Sequence, residues 1–304
     1  MTITKIDLHN HGVISLHPDW LNLQGYEGQN ILQLWARRCM EKGIGICAVT
    51  SEEFQIPLNS HHDRLNYLIE QFAKNMTVIY KHDRVGKNAL VVEKNGSKVY
   101  FVSGQTVAVQ DHGKRLDHLV LGSNQVPNGK SLKNTIQYGK DHGLIQIAEH
   151  PFADGHFGIG EERINQHLAD YDAIEGFNGE LAIPEFLSWI PKLGEHNKGK
   201  NKKAKEFALK NGKPHVASSD AHSIAETGYA YIVTQSEIRT DSDLHLIEDL
   251  KDVLKSGCFR ANERYQPFSS VARAKLAFMK GLSQKLDETT RAPVYSASKS
   301  HHIL

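Results

Sequence analysis

Between residues 3 and 262, short apolar runs take turns with amphipathic stretches, and this alternation restricts the fold more than any other feature of the sequence. ITKIDLH at 3–9 has the pattern of a strand. So does GICAVT at 45–50, whose polar end is typical of a buried strand that meets solvent at its carboxyl end. Between them Ile31, Leu34, Trp35 and Cys39 form one helical stripe closed by Gly43, and Leu65, Leu68, Ile69 and Phe72 form another further on. ALVVEK and SKVYFV flank Asn95-Gly96, a pair suited to the two positive-φ positions of a type I′ hairpin turn. HLVLGS, LIQIAEH, YDAIEGFN and PHVASSD supply further strands, with helices expected near 131–142 and 198–211. YAYIVT and a helix carrying Leu244, Ile247, Leu250 and Leu254, ended by Gly257, complete the unit. Such an order implies a parallel sheet or a barrel, expected to span residues 1–265. An appended helix with Val271, Ala274, Phe278 and Leu282 and a polar tail would fill 266–304.

Composition removes several classes of function. With 39% apolar and 23% charged residues the chain has material for a real core, and its net charge of +1 offers no general attraction to nucleic acid or anionic membrane. No apolar run approaches the ~18 residues needed to cross a bilayer, and the opening MTITKIDLHNH lacks the basic and apolar regions of a secretory signal, so a cytoplasmic location is expected. Cys39, Cys47 and Cys258 form no CxxC pair, which argues against a disulfide framework or a thiolate zinc site. GxSxG, P-loop and GxGxxG motifs are absent.

Histidine is over-represented, with 18 in 304 residues, and its placement is informative. Asp7, His9 and His11 alternate at the end of the first strand, so a period of two would put all three on one face. Asp220 and His222 repeat the spacing after PHVAS, His150 ends LIQIAEH, and His118 opens HLVLGS. Ligand-type side chains at the carboxyl ends of strands in an α/β fold can converge on one rim without being close in sequence.

These residues resemble the PHP (polymerase and histidinol phosphatase) domain family. Its DxHxH pattern matches Asp7-Leu8-His9-Asn10-His11, and its SDAH matches Ser219-Asp220-Ala221-His222. His118 and His150 look like the family's two middle histidines, Glu175 in IEGFN resembles its IE-x-x-N stretch, and His17 stands for a histidine often found after the first motif. The resemblance covers roughly residues 3 to 262 and implies a distorted (β/α)7 barrel with metal ions at the carboxyl ends of the strands. Two departures stand out. Glu52 replaces a histidine of the family's TDH; it can ligate zinc or manganese and would shift metal preference toward Mn²⁺ or Fe²⁺ relative to an all-imidazole site. Thr106, in Gly104-Gln105-Thr106, falls where the family's G-x-E has a bridging glutamate.

The resemblance implies His9, His11 and Asp220 on one ion, and His17, Glu52 and His222 on another. His118 and His150 would form a partial third site, while Asp7 would orient a histidine, and Asp7 and His222 are the residues assigned to catalysis. The expected cofactors are therefore two or three divalent ions (Zn, Mn or Fe), and the expected activity is a metal-dependent phosphoesterase acting on a small phosphorylated metabolite or nucleotide. The alternative is a degenerate PHP domain that binds metal or ligand without turnover, motivated by Ser51, Glu52 and Thr106. Among weaker signals, six lysines in 192–205 suit a solvated helix start better than a phosphate-attracting rim. Arg84 and Arg163 have only the residue type for phosphate contact.

Overall fold

The computed structural model describes residues 3–12, 30–51, 81–181, 197–267 and 269. The expected helices at 65–72 and 271–282, and with them His17 and Glu52, lie outside the described residues. Among those described are β1 (Thr4–Asp7), α1 (Ile31–Lys42), β2 (Ile44–Ser51), β3 (Lys81–Arg84), β4 (Ala89–Lys94), β5 (Ser97–Asp111) and β6 (Lys114–Leu121). After these come α2 (Leu132–Asp141), β7 (Ile145–Ala148), α3 (Glu161–Gln166), β8 (Ala173–Asn178), α4 (Asn197–Lys210) and β9 (His215–Ser218). The last are β10 (Tyr231–Thr234), α5 (Asp243–Ser256) and β11 (Phe259–Asn262).

The strands join in one sheet in the order β11-β10-β1-β2-β5-β6-β7-β8-β9, with β4 attached to β5 and β3 to β4. Pairing is parallel for β1–β2, β2–β5, β7–β8 and β8–β9, while β6 runs antiparallel to both β5 and β7. β10 is antiparallel to β1 and β11. The sheet is therefore mixed, because β5 turns back tightly at His112-Gly113, both at positive φ, instead of crossing over through a helix. Asn95 and Gly96, at φ 51° and 80°, make the other hairpin turn as the sequence predicts.

Curvature follows from the core. Ile6, Ile46, Val102, Leu119, Ile147, Ala173, Val216 and Ile232 come from eight different strands yet form one buried cluster. A flat sheet could not bring them together, so it must curl around them into a nearly closed barrel. Ala217 of β9 packs with Ala230 and Ala261, drawing the two ends of the sheet together. Leu246, Leu250 and Leu254 of α5 join the inner cluster, and Lys251 Nζ reaches the carbonyls of Gly143 and Leu144 just before β7. α5 thus covers the amino-terminal end of the barrel and leaves the carboxyl ends of the strands for the site. Leu244, expected on its buried stripe, is 68% exposed, while Leu246 faces inward.

Outside the barrel, α1 lays Ile31, Leu32, Trp35, Ala36 and Cys39 on Cys47 and Val49 of β2 and Phe101 of β5. It starts at Asn30, whose side chain accepts from the Gln33 N–H, and stops at Gly43 in the left-handed region. α2 and α4 cover the opposite flank through Leu132, Ile136, Ala204 and Phe207.

Candidate metal centre

β1 ends at Asp7, and the segment after it is stapled between two neighbours. Asn10 N donates to Thr50 Oγ1 at 3.1 Å, Thr50 N donates to the Asn10 carbonyl at 3.0 Å, and Asp220 N donates to the His9 carbonyl at 2.8 Å. These bonds deliver His9 and His11 to the carboxyl rim beside Asp220, and their Nε2 atoms lie 3.1 Å apart. Asp220 Oδ1 is 3.2 Å from both, and Glu149 Oε1 is 3.1 Å from His9 Nε2.

The far side of each ring is also fixed. His11 Nδ1 faces the Thr50 carbonyl at 2.9 Å, and since a carbonyl only accepts, Nδ1 carries the proton and Nε2 the lone pair. His9 Nδ1 faces Glu175 Oε1 at 3.0 Å, which selects the same tautomer. Glu175 is held in turn by Ser218 Oγ, by His150 N at 2.7 Å and by Asn178 Nδ2 at 3.1 Å. Asn178 Nδ2 also donates to Asp220 Oδ2 at 2.9 Å, leaving Oδ1 to face the imidazoles.

Two imidazole lone pairs and two carboxylates converging this closely need positive charge among them. Burial alone would lower the His9 pKa, but the carboxylates of Asp220, Glu149 and Glu175 raise it well above the usual value. Burial likewise opposes the charge of Asp220, yet His9 and the neighbouring imidazoles hold its carboxyl well below the ordinary range. His150, with Glu149 beside it, is raised to about 10 against the same opposition from burial. A field that draws protons onto buried imidazoles also draws a divalent cation. Within the described residues, His9, His11 and Asp220 have ligand atoms close enough for one ion, and so do Glu180, Asp220 and His222. Donor set, tautomers and charge all fit a metal.

The other expected residues divide. His222 joins the rim, its ring 4.7 Å from that of His11 and its Nδ1 3.1 Å from the Asp220 carbonyl. His150 approaches Glu149 Oε1 at 3.2 Å. Asp7 differs from the expectation that it orients a histidine and shares their face. Its carboxylate accepts from Ser219 N, Gly228 N and Asn10 Nδ2, each at 3.0 Å, because the strand ends at Asp7 and alternation restarts beyond it. His118 is not brought to the rim either. It sits mid-strand in β6, where Leu119 and Leu121 face the barrel core, so His118 and Val120 face outward. There its Nε2 meets Gln146 Oε1 at 3.2 Å and its ring lies against Tyr171. Arg163 is occupied by Asp111 at 2.7 Å. Lys203 and Lys205 of the basic stretch pair with Glu161 and Glu263, as a solvated helix would.

Glu180 escaped sequence reasoning, while Glu149 is an acid that the sequence offers, with Glu175, in place of the one missing at Thr106. Glu149 adjoins His150 at a strand end, which was a usable signal, whereas Glu180 lies in the turn after β8 with no pattern to mark it.

Comparison with known proteins agrees with the fold. The family model PHP_C, described as PHP-associated, matches residues 198–255, a span that contains Asp220 and His222. PsfC from Pseudomonas syringae PB-5123 superposes with a TM-score of 0.57 at 15% identity, over 93% of this chain and 100% of that one. A two-domain protein from Bacteroides vulgatus containing a predicted PHP-like metal-dependent phosphoesterase gives a TM-score of 0.50 at 14% identity, over 86% of this chain and 65% of that one. No curated protein matches the chain in sequence. The architecture is that of a PHP-type distorted barrel, and the matched segment supports the PHP family read from the motifs. Among the described residues, no helix is long and apolar enough to cross a membrane.

Proposed function

We propose that this chain is a metal-dependent phosphoesterase acting on a small phosphorylated molecule. The observation that carries the reading is the convergence of His9 Nε2, His11 Nε2 and Asp220 Oδ1 within 3.2 Å of one another, with both rings locked from behind. A divalent ion there would supply an acidified water and positive charge for the phosphoryl oxygens. The chain's own part is positional. Glu175 and the Thr50 carbonyl hold the two tautomers, Asn178 aims Asp220, and burial keeps competing water from the ligands. His222, with its side chain 20% exposed, is the more open member of the rim, where with Glu180 and Asp220 it could hold an ion that substrate oxygens reach. A small substrate is favoured over a polymer because the net charge of +1 offers no general attraction to a polyanion, and Lys203 and Lys205 of α4 are paired with Glu161 and Glu263.

One observation favours binding without turnover: Thr106 presents a hydroxyl, which donates to Glu149, in place of an acid of its own. Both readings meet in one experiment. Metal content is measured on protein purified without chelator, and hydrolysis of a generic phosphomonoester and phosphodiester is followed with added Mn²⁺. Bound metal with hydrolysis supports the enzyme. Bound metal without it favours the binding role, and absence of metal from a folded protein refutes both.

A further inference from the structure

We propose that Gln266 is a positioning residue for the rim, a clasp that sets the gap between the turn carrying Glu180 and the turn carrying Asp220 and His222. The inference rests on the metal-dependent reading above and adds to it a residue that follows the last described strand.

The two turns arrive from different strands. Glu180 follows β8 and Asp220 follows β9, and the turns touch where Gly179 N donates to the Ser218 carbonyl at 2.9 Å. They approach as closely as glycine allows, since a Cβ at Gly179 would stand 3.0 Å from the Ser219 carbonyl oxygen. Gln266 spans this contact. Its backbone N–H donates to the Gly179 carbonyl at 3.2 Å, and its Nε2 donates to the Ser219 carbonyl at 2.6 Å and, more weakly, to the Asp220 carbonyl at 3.4 Å. Gly179 and Ser219 each come one residue before a candidate ligand, so a single residue holds the peptides from which the carboxylates of Glu180 and Asp220 extend. The Asp220 carbonyl also faces His222 Nδ1 at 3.1 Å, which ties the third member of that group to the same atom.

The side chain is there for its donor. Gln266 is 3% exposed and its Oε1 is buried without a hydrogen-bond partner, while its nitrogen serves two carbonyls. Flipping the amide would set Oε1 against both carbonyl oxygens and leave no donor among them, so the orientation is determined by the network. A residue that only filled space would be better apolar at this position, because an idle buried oxygen is costly. The segment is anchored independently of this amide. Lys205 pairs with Glu263 at 2.7 Å, and the Tyr265 ring lies 4.7 Å from that of Phe177 in β8. Removing the amide should therefore leave the segment docked and release only the two turns.

The test uses the full chain, stripped with chelator and titrated with Co²⁺. Calorimetry reads affinity, visible absorption reads ligand geometry, and urea unfolding of the metal-free protein reads stability. Gln266→Met keeps the length and removes the donor. It should bind cobalt at least about tenfold more weakly than wild type, with a changed cobalt spectrum, as loss of a bond behind a ligand does. Asp220 belongs to both candidate groups, so the loss is read whether the chain takes up one ion or two. Unchanged affinity and spectrum in a folded Gln266→Met, whatever its stability, would show a role in stability alone and overturn the clasp. If Gln266→Met does not fold, Gln266→Asn keeps the amide but withdraws it from the carbonyls. The same weakening and spectral change are expected there, and their absence overturns the clasp equally while leaving the metal-dependent reading in place. A wild type that binds no cobalt overturns that reading itself, and the clasp with it.

Discussion

Replacing His118 with Gln should remove a component of acid sensitivity from folding. The imidazole is fully buried on the outer face of β6, between Gln146 and Tyr171. Burial, offset only in part by the Gln146 hydrogen bond and the Glu149 charge, lowers its pKa from 6.5 to about 4. The native ring thus stays neutral over a range in which the unfolded ring takes up a proton. Because the folded pKa is the lower of the two, the unfolded state binds more protons between these values. His118 therefore contributes stability that is present above the unfolded pKa and is lost as pH falls toward the folded one. Linkage puts the loss between about pH 7.5 and about pH 5 at about 2 kcal/mol, a change of roughly thirtyfold in the unfolding equilibrium. Urea unfolding of metal-stripped wild type and His118→Gln at both pH values isolates the term, since the carboxylate cluster titrates in both proteins and any constant cost of the substitution cancels. Wild type should lose about 2 kcal/mol more than the variant. Parallel losses, within about 0.5 kcal/mol, would show that the ring is hydrated or charged in the native state and that its outward, buried placement is wrong. Loss of bound metal in His118→Gln would instead restore the ligand role that the sequence suggested.

His9→Ala should abolish tight binding at the first group while leaving the fold, as checked by metal analysis and circular dichroism, and full metal content would contradict the assignment. Asp7→Ala strands three buried donors, on Ser219, Gly228 and Asn10, so it should cost about 3 kcal/mol or more in urea unfolding; a cost under about 1 kcal/mol would deny the carboxylate its structural role. Gly12→Ala should be poorly tolerated, because Gly12 is at φ 67° and an added Cβ would overlap the Trp35 ring; a variant with unchanged Tm would rule out that approach. Removing metal with chelator should lower Tm, and adding Mn²⁺ back should raise it with concentration, in a way that a protein without a site would not show.

What was legible in the sequence follows from which signals are local. The stripe of α1, its stop at Gly43 and the Asn95-Gly96 turn are each fixed within a few residues, and the structure has them where periodicity and turn chemistry put them. Leu244 was misread because helical spacing leaves the stripe free to rotate by one residue, and only packing against the barrel selects Leu246 instead. The reversal of β5 into β6 was missed for a related reason. An apolar strand looks the same in either direction, and the reversal turns on His112-Gly113, a pair without the Asn-Gly signature of the 95–96 turn. In the site, the HxH and DxH pairs were visible because their spacing is itself the geometry. Glu149, Glu175 and His118 depend on which face of a strand each occupies, and that is settled across the sheet. Thr106 shows the consequence. From sequence it implied a missing carboxylate, whereas in the fold its hydroxyl touches the carboxylate of Glu149, delivered from another strand.

Backbone strain marks the same place as the side chains do. Asp220 and His150 adopt φ 48° and 22°, a region that costs a non-glycine residue on the order of 1–3 kcal/mol. Both follow strand ends, where the chain must leave the sheet within one or two residues and still aim a side chain back across the rim. Glycine would relieve the strain at either position but would also delete the ligand atom, so the two requirements conflict. The surrounding bonds hold the strained form. Asp220 is pinned through its N–H to His9 and through Oδ2 to Asn178, and His150 through its N–H to Glu175. The same carboxylate of Glu175 that fixes the His9 tautomer therefore also fixes the turn that presents His150. Strain at one rim position and ligand orientation at another are coupled through a single buried acid. Such coupling has no stabilising purpose in an apolar core, where all three residues would be better replaced, and it makes sense only if these side chains must converge on something charged.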